Sequence, residues 1–235
     1  MDPLMDAPPD SPPDPLPLAQ ALIRCASVTP ADAGAIGILE SALGSLGFAT
    51  HRLSFGDAPD GPVENLFATI GSGAPHFAFA GHTDVVPAGE GWSVDPYAAR
   101  AENELLVGRG AADMEGALAA MVAAAAAHVG RGADGTLSFI VTGDEEGPGT
   151  FGTPCILDWM DGQQIRPDFC LVGEPTSRQR LGDMMKIGRR GSLNASIAVM
   201  GAQGHVAYPD LADNPVRRLV EILHELQSRV LDAGC

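Results

Sequence analysis

The amino-acid sequence predicts an α/β protein with a mixed, largely parallel sheet. Segments with the apolar content of β-strands alternate with segments whose apolar residues recur at helical spacing. Residues 136–142 (TLSFIVT) have the continuous apolar character of a strand that is buried on both faces. The most apolar run, residues 116–129, is rich in alanine and precedes this strand, as a helix connecting two strands would.

The individual elements follow in order along the chain. Helical spacing predicts helices over residues 18–27, 33–46 and 153–160, and the alanine-rich helix begins near Glu115. Strands are predicted over residues 48–55, 64–70, 76–80, 105–108, 136–142 and 168–172. These elements suffice for one substantial α/β domain, which we place at residues 18–182.

The sequence changes character beyond Met184. Residues 187–200 are predicted to form a long strand, residues 201–210 a loop and residues 215–231 an amphipathic helix. A strand, a loop and a helix cannot close a core by themselves. We therefore expect residues 183–235 to be an incomplete α+β domain.

Composition and charge exclude several classes of function. The formal net charge of −16 would repel nucleic acids and anionic membranes. Residues 1–17, rich in proline and aspartate, lack the basic and apolar parts of a signal peptide, and we expect them to be a disordered leader. The cysteines are scattered and form no CxxC pair. This favours reduced thiols in a cytoplasmic protein over a disulfide framework or a thiolate zinc site.

Polar residues follow several of the predicted strands. The groups are His82-Thr83-Asp84, Asp113, Glu145-Glu146 and Glu174. They recur about every 30 residues, which is close to the length of one strand–helix–strand unit. Parallel strands that each end in such a group would present all of the groups at one carboxyl edge of the sheet, where ligands bind in open α/β folds.

The residue types in these groups favour a divalent metal centre. One imidazole and several carboxylates suit zinc, manganese or cobalt, whereas His82 would be a poor ligand for calcium. Since more carboxylates converge than one divalent ion needs, one of them is expected to bridge two metals. Of the adjacent Glu145 and Glu146, one can ligate a metal while the other accepts a proton from water. Asp84 is placed to accept the second N–H of His82 and fix its tautomer.

Each group taken alone has a simpler interpretation. A single His-x-Asp or Glu-Glu pair usually lies on a solvated surface. Asp113 alone could be the cap of the helix that follows, and Glu174 could be a turn residue before Pro175. The regular spacing and the placement at strand ends favour a common site.

Six motifs together resemble the dinuclear metallo-exopeptidase and deacylase family. In chain order they are GHTDVVPAGEGW, GRGAADMEG, TGDEEG, VGEPT, GRRGSL and GHVAYPDLADNP. The metal motifs are shared across the family, whereas GRGAADM combined with GRRGSL and GHVAYP is most similar to its desuccinylase branch. The resemblance runs from about position 18 to the end of the chain. It implies a zinc-exopeptidase-like catalytic domain followed by part of a dimerisation domain and, for a complete chain, a homodimer.

The resemblance implies a role for each metal ligand. His82 and Glu174 would hold one divalent metal, Glu146 would hold the other, and Asp113 would bridge them. Two metals are implied for a complete subunit, with zinc favoured and cobalt as the alternative. Glu145 would be the general base that later protonates the leaving amine.

The resemblance also implies positioning and substrate-binding residues. Asp84 would orient His82. The residues in motifs that contact substrate carboxylates are Arg189, Arg190, Ser192 and Tyr208. His205 would reach the active site of a partner subunit and stabilise the oxyanion. The implied substrate, in bacterial lysine synthesis, is N-succinyl-LL-2,6-diaminoheptanedioate, whose carboxylates require guanidinium partners in an acidic protein.

The sequence departs from the family pattern in two respects. Glu115 stands where the family usually has lysine, which places a negative charge next to Asp113 and is expected to shift metal affinity or the pH optimum. Family members are also considerably longer, and a later histidine binds their second metal. No histidine follows His224, which lies on the predicted amphipathic helix. The second metal would have Asp113, Glu146 and solvent, as expected for a C-terminally incomplete member.

Alternatives of different classes stay open. A sister deacylase, such as one that acts on N-acetylornithine, would use the same metals and base and differ in the loops that contact the substrate. A fragment without turnover could retain metal binding or a dimerisation surface. A nucleotide-binding domain is a weaker alternative, because GRGAADMEG lacks the third glycine of the dinucleotide motif.

Overall fold

The computed structural model of the protein describes residues 12–132, 134–188 and 195–230. The chain divides into two compact units between Met185 and Lys186. This division falls close to the domain boundary expected after position 182. The leader predicted over residues 1–17 lies mostly outside the described residues, and the incomplete dimerisation domain predicted over residues 183–235 stays a prediction.

The first unit is built around a five-stranded mixed sheet. The strands in chain order are β1 (Ala49–Phe55), β2 (Val63–Ser72), β3 (His76–His82), β4 (Arg100–Glu102), β5 (Leu105–Val107), β6 (Gly135–Thr142) and β7 (Phe169–Val172). The order in the sheet is β1-β2-β6-β3-β7, while β4 and β5 form a separate antiparallel pair. β2 is antiparallel to β1 and β6, and β3 is parallel to β6 and β7. The predicted α/β class with a mixed sheet is confirmed.

Helices pack on both faces of this sheet. In chain order they are α1 (Leu16–Ile23), α2 (Ala35–Ser45), α3 (Glu115–Gly130) and α4 (Thr153–Gly162). A fifth helix, α5 (Pro215–Ser228), belongs to the second unit. Apolar residues of α1, α2 and α3 form one buried cluster with β2 and β6. On the other face, Ile156 and Met160 of α4 pack against Phe67, Ala78 and Ile140. Of the helices described, none is long and apolar enough to span a bilayer.

The central strand, β6, is buried from Leu137 to Thr142. The ring of Phe139 is fully buried, and its centroid lies 5.6 Å from that of Phe48 and 5.2 Å from that of Phe79. Packing on both faces explains why this strand has a continuous apolar sequence instead of an alternating one.

The structure differs from the sequence prediction in two strands. The long strand predicted over residues 187–200 is wrong in the part that is described, where residues 187–188 and 195–200 form no strand. The pairing found nearby is an isolated bridge between Ala202 and Asp213. Strand β4 was not predicted, because Arg100 to Glu102 lacks the alternation of a half-buried strand. Its conformation is set by pairing with β5.

The second unit contains α5 and a short 3₁₀ turn at Pro209–Leu211. The side chain of Asn214 caps α5, accepting a hydrogen bond from the N–H of Val216 at 3.0 Å. Pro215 occupies the first helical position, where its missing N–H costs nothing. None of the residues of α5 is buried within the described chain.

Replacing Phe139 by alanine is expected to lower the free energy of unfolding by about 3–5 kcal/mol, because the ring is enclosed and its removal leaves a cavity. Urea unfolding followed by circular dichroism measures this change. The control is Leu105→Ala, since Leu105 is 66% exposed and a change within about 0.5 kcal/mol is expected there. Equal losses in the two variants would contradict this description of the core.

Candidate metal centre

The carboxyl ends of β3, β6 and β7 lie at one edge of the sheet, because these three strands run parallel. His82 is the last residue of β3. Glu145 and Glu146 follow β6, and Glu174 follows β7. Asp113 reaches the same place from the turn before α3. The structure thereby brings together five side chains from four separate parts of the sequence.

His82 is the buried centre of this cluster, with 1% of its side chain exposed. Its Nδ1 lies 2.8 Å from the backbone carbonyl oxygen of Asp84. Since a carbonyl oxygen can only accept, Nδ1 carries a hydrogen. The other ring nitrogen, Nε2, lies 3.2 Å from Oδ1 of Asp113 and 3.6 Å from Oε1 of Glu174. This nitrogen faces two carboxylates, a geometry that is favourable when a proton or a metal cation lies between them.

Two overlapping sets of side chains have the spacing of a metal site. In each set, one ligand atom per residue lies within 4.8 Å of the others. The first set is His82, Glu145 and Glu174, and the second is His82, Asp113 and Glu146. The two sets share His82, so all five side chains surround one imidazole, whose Nε2 is the ring nitrogen free to bind a cation.

Asp84 contacts this site differently from the prediction. The imidazole of His82 binds the backbone carbonyl of Asp84, while the nearer carboxylate oxygen lies 3.7 Å from Nδ1. The carboxylate instead accepts hydrogen bonds from the backbone N–H groups of Glu145, at 3.1 Å, and Glu146, at 2.9 Å. It also accepts one from the hydroxyl of Thr29 at 2.5 Å. Asp84 therefore positions the turn that presents the two glutamates.

Asp144 is a second buried acid that sequence reasoning missed. Its side chain accepts hydrogen bonds from the N–H groups of Gly149, at 3.0 Å, and Phe151, at 3.1 Å. These bonds fold the loop that follows the two glutamates. The signal was present in TGDEEG, because an aspartate before glycine-rich sequence commonly accepts hydrogen bonds from the backbone a few residues later.

The acids of the cluster repel one another. Burial, followed by the charge of Asp113, raises the pKa of both Glu146 and Glu174. Burial opposes the charged form of His82, yet the hydrogen bond to Asp84 and the surrounding carboxylates raise its pKa overall. Acids held together in this way are stabilised by cations. An imidazole with several carboxylates, and no thiolate in either ligand set, fits divalent transition metals.

Glu115 lies next to the cluster and is buried, with 1% of its surface exposed. Its carboxylate packs so closely against Gly110 that the Cβ of any other residue at position 110 would overlap the carboxylate oxygens. Oε2 has no hydrogen-bond partner among the described residues. Burial, with a smaller contribution from Asp113, raises the pKa of Glu115 to about 8. The metal-free protein therefore holds this side chain as a neutral acid over much of the physiological pH range.

The predicted substrate-binding residues belong to the second unit. Arg189, Arg190 and Ser192 lie outside the described residues. Tyr208 is 62% exposed, and its ring centroid lies 5.8 Å from that of His205. Nδ1 of His205 accepts a hydrogen bond from the N–H of Ala207 at 3.1 Å. The roles expected for all of these residues stay predictions.

The fold and the cluster define the class of protein: an α/β domain of the metallopeptidase type, with imidazole and carboxylate ligands at the carboxyl edge of a mixed sheet. The sequence pattern of the family described as peptidase family M20/M25/M40 matches residues 78–231. The chain belongs to this family.

Curated relatives have a more specific name. A succinyl-diaminopimelate desuccinylase of Rhizorhabdus wittichii is 60% identical over 223 residues, which are 94% of this chain and 58% of that protein. The protein of the same name from Zymomonas mobilis is 58% identical, over 94% of this chain and 58% of its own length. The chain therefore spans about 58% of the length of these relatives.

Solved structures confirm the fold. The M20 family metallo-carboxypeptidase Sso-CP2 from Sulfolobus solfataricus aligns with a TM-score of 0.63 and 17% identity, over 94% of this chain and 50% of that one. Human carnosine dipeptidase 1 aligns with a TM-score of 0.58 and 22% identity, over 67% of this chain and 38% of that one. At these identities the likeness concerns the fold alone.

Glu115→Gln is expected to remove part of the pH dependence of stability in the metal-free protein. An acid whose pKa rises from 4.5 to about 8 on folding costs the folded state stability as pH increases between these values. The free energy of unfolding falls by at most about 5 kcal/mol over this range. The glutamine of the variant has no carboxyl to titrate and should not show this loss. Urea unfolding in the presence of a chelator, at several pH values from 5 to 8, measures the effect. The exposed Glu104→Gln is the control, and parallel profiles for wild type and Glu115→Gln would contradict the expectation.

Proposed function

We propose that the protein hydrolyses N-succinyl-LL-2,6-diaminoheptanedioate to succinate and LL-2,6-diaminoheptanedioate, with two divalent cations at the cluster around His82. One observation carries the proposal: two ligand sets meet at His82 in a chain that is 54–60% identical to proteins named succinyl-diaminopimelate desuccinylase. A metal-dependent amide hydrolase needs such a centre, and the names of the relatives give the acyl group.

The ligands divide naturally between two cations. His82 and Glu174 would hold one of them, and Glu146 would hold the other. Asp113 would be the shared ligand, since its carboxylate lies 3.2 Å from Nε2 of His82 and its charge acts on both Glu146 and Glu174. Zinc is the proposed metal and cobalt the alternative, since both accept imidazole and carboxylate ligands.

Glu145 acts as the general base. When bound, the cations supply Lewis acidity that lowers the pKa of water and polarises the scissile carbonyl. A carboxylate oxygen of Glu145 lies within 4.8 Å of ligand atoms of His82 and Glu174, and its side chain is open to solvent. It takes a proton from water as the water oxygen bonds to the carbonyl carbon. It then gives the proton to the nitrogen as the C–N bond breaks. Asp84 holds the N–H of Glu145, which limits the movement of this turn.

The second unit supplies contacts to the acidic substrate. The residues proposed to bind the carboxylates of the substrate are Arg189, Arg190, Ser192 and Tyr208. The support is their occurrence in the motifs GRRGSL and GHVAYP, together with the fit of guanidinium groups to carboxylates. His205 donates a hydrogen bond to the oxyanion across a homodimer. We place the protein in the cytoplasm, where unpaired cysteines such as Cys25 and Cys155 stay reduced.

The zinc-loaded chain is expected to release succinate from N-succinyl-LL-2,6-diaminoheptanedioate. A chelator should abolish the rate and added zinc should restore it, because the cations activate the water. N-acetylornithine is the comparison substrate and is expected to react more slowly. A folded chain that binds zinc and hydrolyses neither compound would contradict the proposed activity. A preference for N-acetylornithine would reassign the acyl group and leave the metal centre in place.

Glu145→Ala is expected to lower turnover about 10²–10⁴-fold, the usual contribution of a general base. Zinc binding, measured by calorimetry, should survive, since the remaining acids and His82 hold the cations. Glu104→Ala is the matched control, because Glu104 is an exposed glutamate away from the cluster. Unchanged turnover, or loss of zinc together with turnover, would show that Glu145 is not the base.

Glu174→Ala is expected to lower zinc stoichiometry or affinity at one position, because one of the ligand sets then lacks an oxygen donor. The same zinc titration measures this loss. Retention of the wild-type isotherm would show that Glu174 does not bind the metal.

A further inference from the structure

Asp113 differs from the other candidate ligands in how it reaches the metal centre. The histidine and the three glutamates of the cluster end or follow strands of the main sheet. Asp113 lies instead in the connection between β5 and α3, residues 108–114, and its side chain is 47% exposed. The sheet therefore does not set the position of Asp113, which depends on the contacts that residues 108–114 make.

One end of this connection is held by buried contacts. Met114, the residue after Asp113, is fully buried, and its sulfur accepts a hydrogen bond from the backbone N–H of His82 at 3.3 Å. The N–H of Glu115 donates to the carbonyl of Gly110 at 2.9 Å. These bonds tie the part of the connection that leads into α3 to the end of β3.

Arg109 holds the other end of the connection. Its backbone N–H donates to the carbonyl of Pro96 at 2.7 Å, and its guanidinium donates to the carbonyl of Ala88 at 2.9 Å. The guanidinium also lies over the ring of Trp92, with 5.4 Å between its central carbon and the ring centroid. The indole N–H of Trp92 donates to the same carbonyl of Ala88 at 2.8 Å. Arg109 thereby joins the turn that carries Asp113 to the segment that follows β3.

The contacts of Arg109 are specific to a guanidinium group. A planar guanidinium can lie over an aromatic ring while its edge donates to a carbonyl, whereas the compact ammonium of lysine lacks this planar edge. Within the described residues, no carboxylate forms an ion pair with Arg109. The carbonyl of Ala88 and the face of Trp92 are therefore the contacts that stabilise its charge.

A positive charge and a positioning contact have opposite effects on metal binding. A positive charge near a cation site repels the cation, so removal of the charge would by itself strengthen metal binding. Removal of a contact that positions a ligand weakens metal binding, because the ligand must then be ordered as the cation binds. The direction of the change therefore shows which effect dominates.

We propose that Arg109 is a positioning residue for the metal centre. It holds residues 108–114 against the segment after β3 and so places the carboxylate of Asp113 next to Nε2 of His82. Arg109 acts through Asp113 and contacts neither the cations nor the substrate. The inference rests on the metal centre of the function proposed above and adds what holds the shared ligand in place.

Arg109→Lys keeps the charge and removes the planar group. Its zinc affinity, measured by calorimetry with a competing chelator, is expected to fall about tenfold, as is usual when a group that orients a metal ligand is lost. Arg109→Met also removes the charge and should weaken zinc binding as well. Arg100→Lys is the matched control, because Arg100 is exposed and pairs with Glu102, and its zinc affinity should stay within about twofold. Unchanged affinity in Arg109→Lys, or tighter binding in Arg109→Met, would overturn the proposal.

A double variant distinguishes positioning of Asp113 from a general loss of stability. In Asp113→Asn, the further substitution Arg109→Lys should change zinc affinity by less than about twofold, because both substitutions act through one ligand. A further tenfold loss in this background would show that Arg109 supports the fold or a different ligand, and would overturn the proposal.

Variants of Trp92 test the same contact without changing Arg109. Trp92→Leu removes the aromatic face and should weaken zinc binding, whereas Trp92→Phe keeps a face for the guanidinium and should recover part of the affinity. Equal affinities of wild type and Trp92→Leu would contradict the role given to this contact.

These titrations also separate the inference from the proposed activity, since they need no turnover. If the chain binds zinc and hydrolyses no succinyl amide, the proposed function fails while the zinc affinities still test the role of Arg109. A folded wild-type chain that binds no zinc would overturn both.

Discussion

The site depends on the hydrogen bonds that the Asp84 carboxylate accepts from the backbone of Glu145 and Glu146. They tie the end of β3, which supplies His82, to the turn after β6, which supplies the two glutamates. The carboxylate has 2% of its side chain exposed, so these bonds form in a region of low dielectric constant, where they are strong and costly to lose. Two ligand-bearing segments far apart in sequence are thereby held as one rigid edge.

That rigidity matters because the acids it assembles repel one another. Burial and neighbouring charge raise the pKa of Glu146 and Glu174, so the protein stores an electrostatic cost at this edge that cations relieve. Glu115 is a further buried acid. Its Oε2 has no partner among the described residues, and its carboxylate occupies the space that a side chain at position 110 would need. The first unit therefore provides the negative part of the site. The acidic substrate proposed above would therefore need cationic contacts from other parts of the protein.

Much of the fold and the location of the site could be predicted from sequence because both depend on local patterns. The apolar run of β6 and the alanine-rich α3 are specified by their own residues. Acids placed just after parallel strands must share an edge. β4 could not be predicted, since its extended conformation depends on pairing with β5. The strand predicted over residues 187–200 failed in its described part, because apolar residues form a strand only where a neighbouring strand accepts their hydrogen bonds.

The sequence by itself determined the candidate donors, which are one imidazole and several carboxylates. Residue identity decides which donors exist, and their spacing relative to the strands decides on which edge of the sheet they emerge. Only the tertiary structure decided how each donor is held. It assigned the carbonyl of Asp84 to His82 and the carboxylate of Asp84 to the glutamate turn. It also placed the guanidinium of Arg109 at the carbonyl of Ala88. Such pairings join residues distant in the chain, and their geometry is set by the packing of the sheet and helices between them.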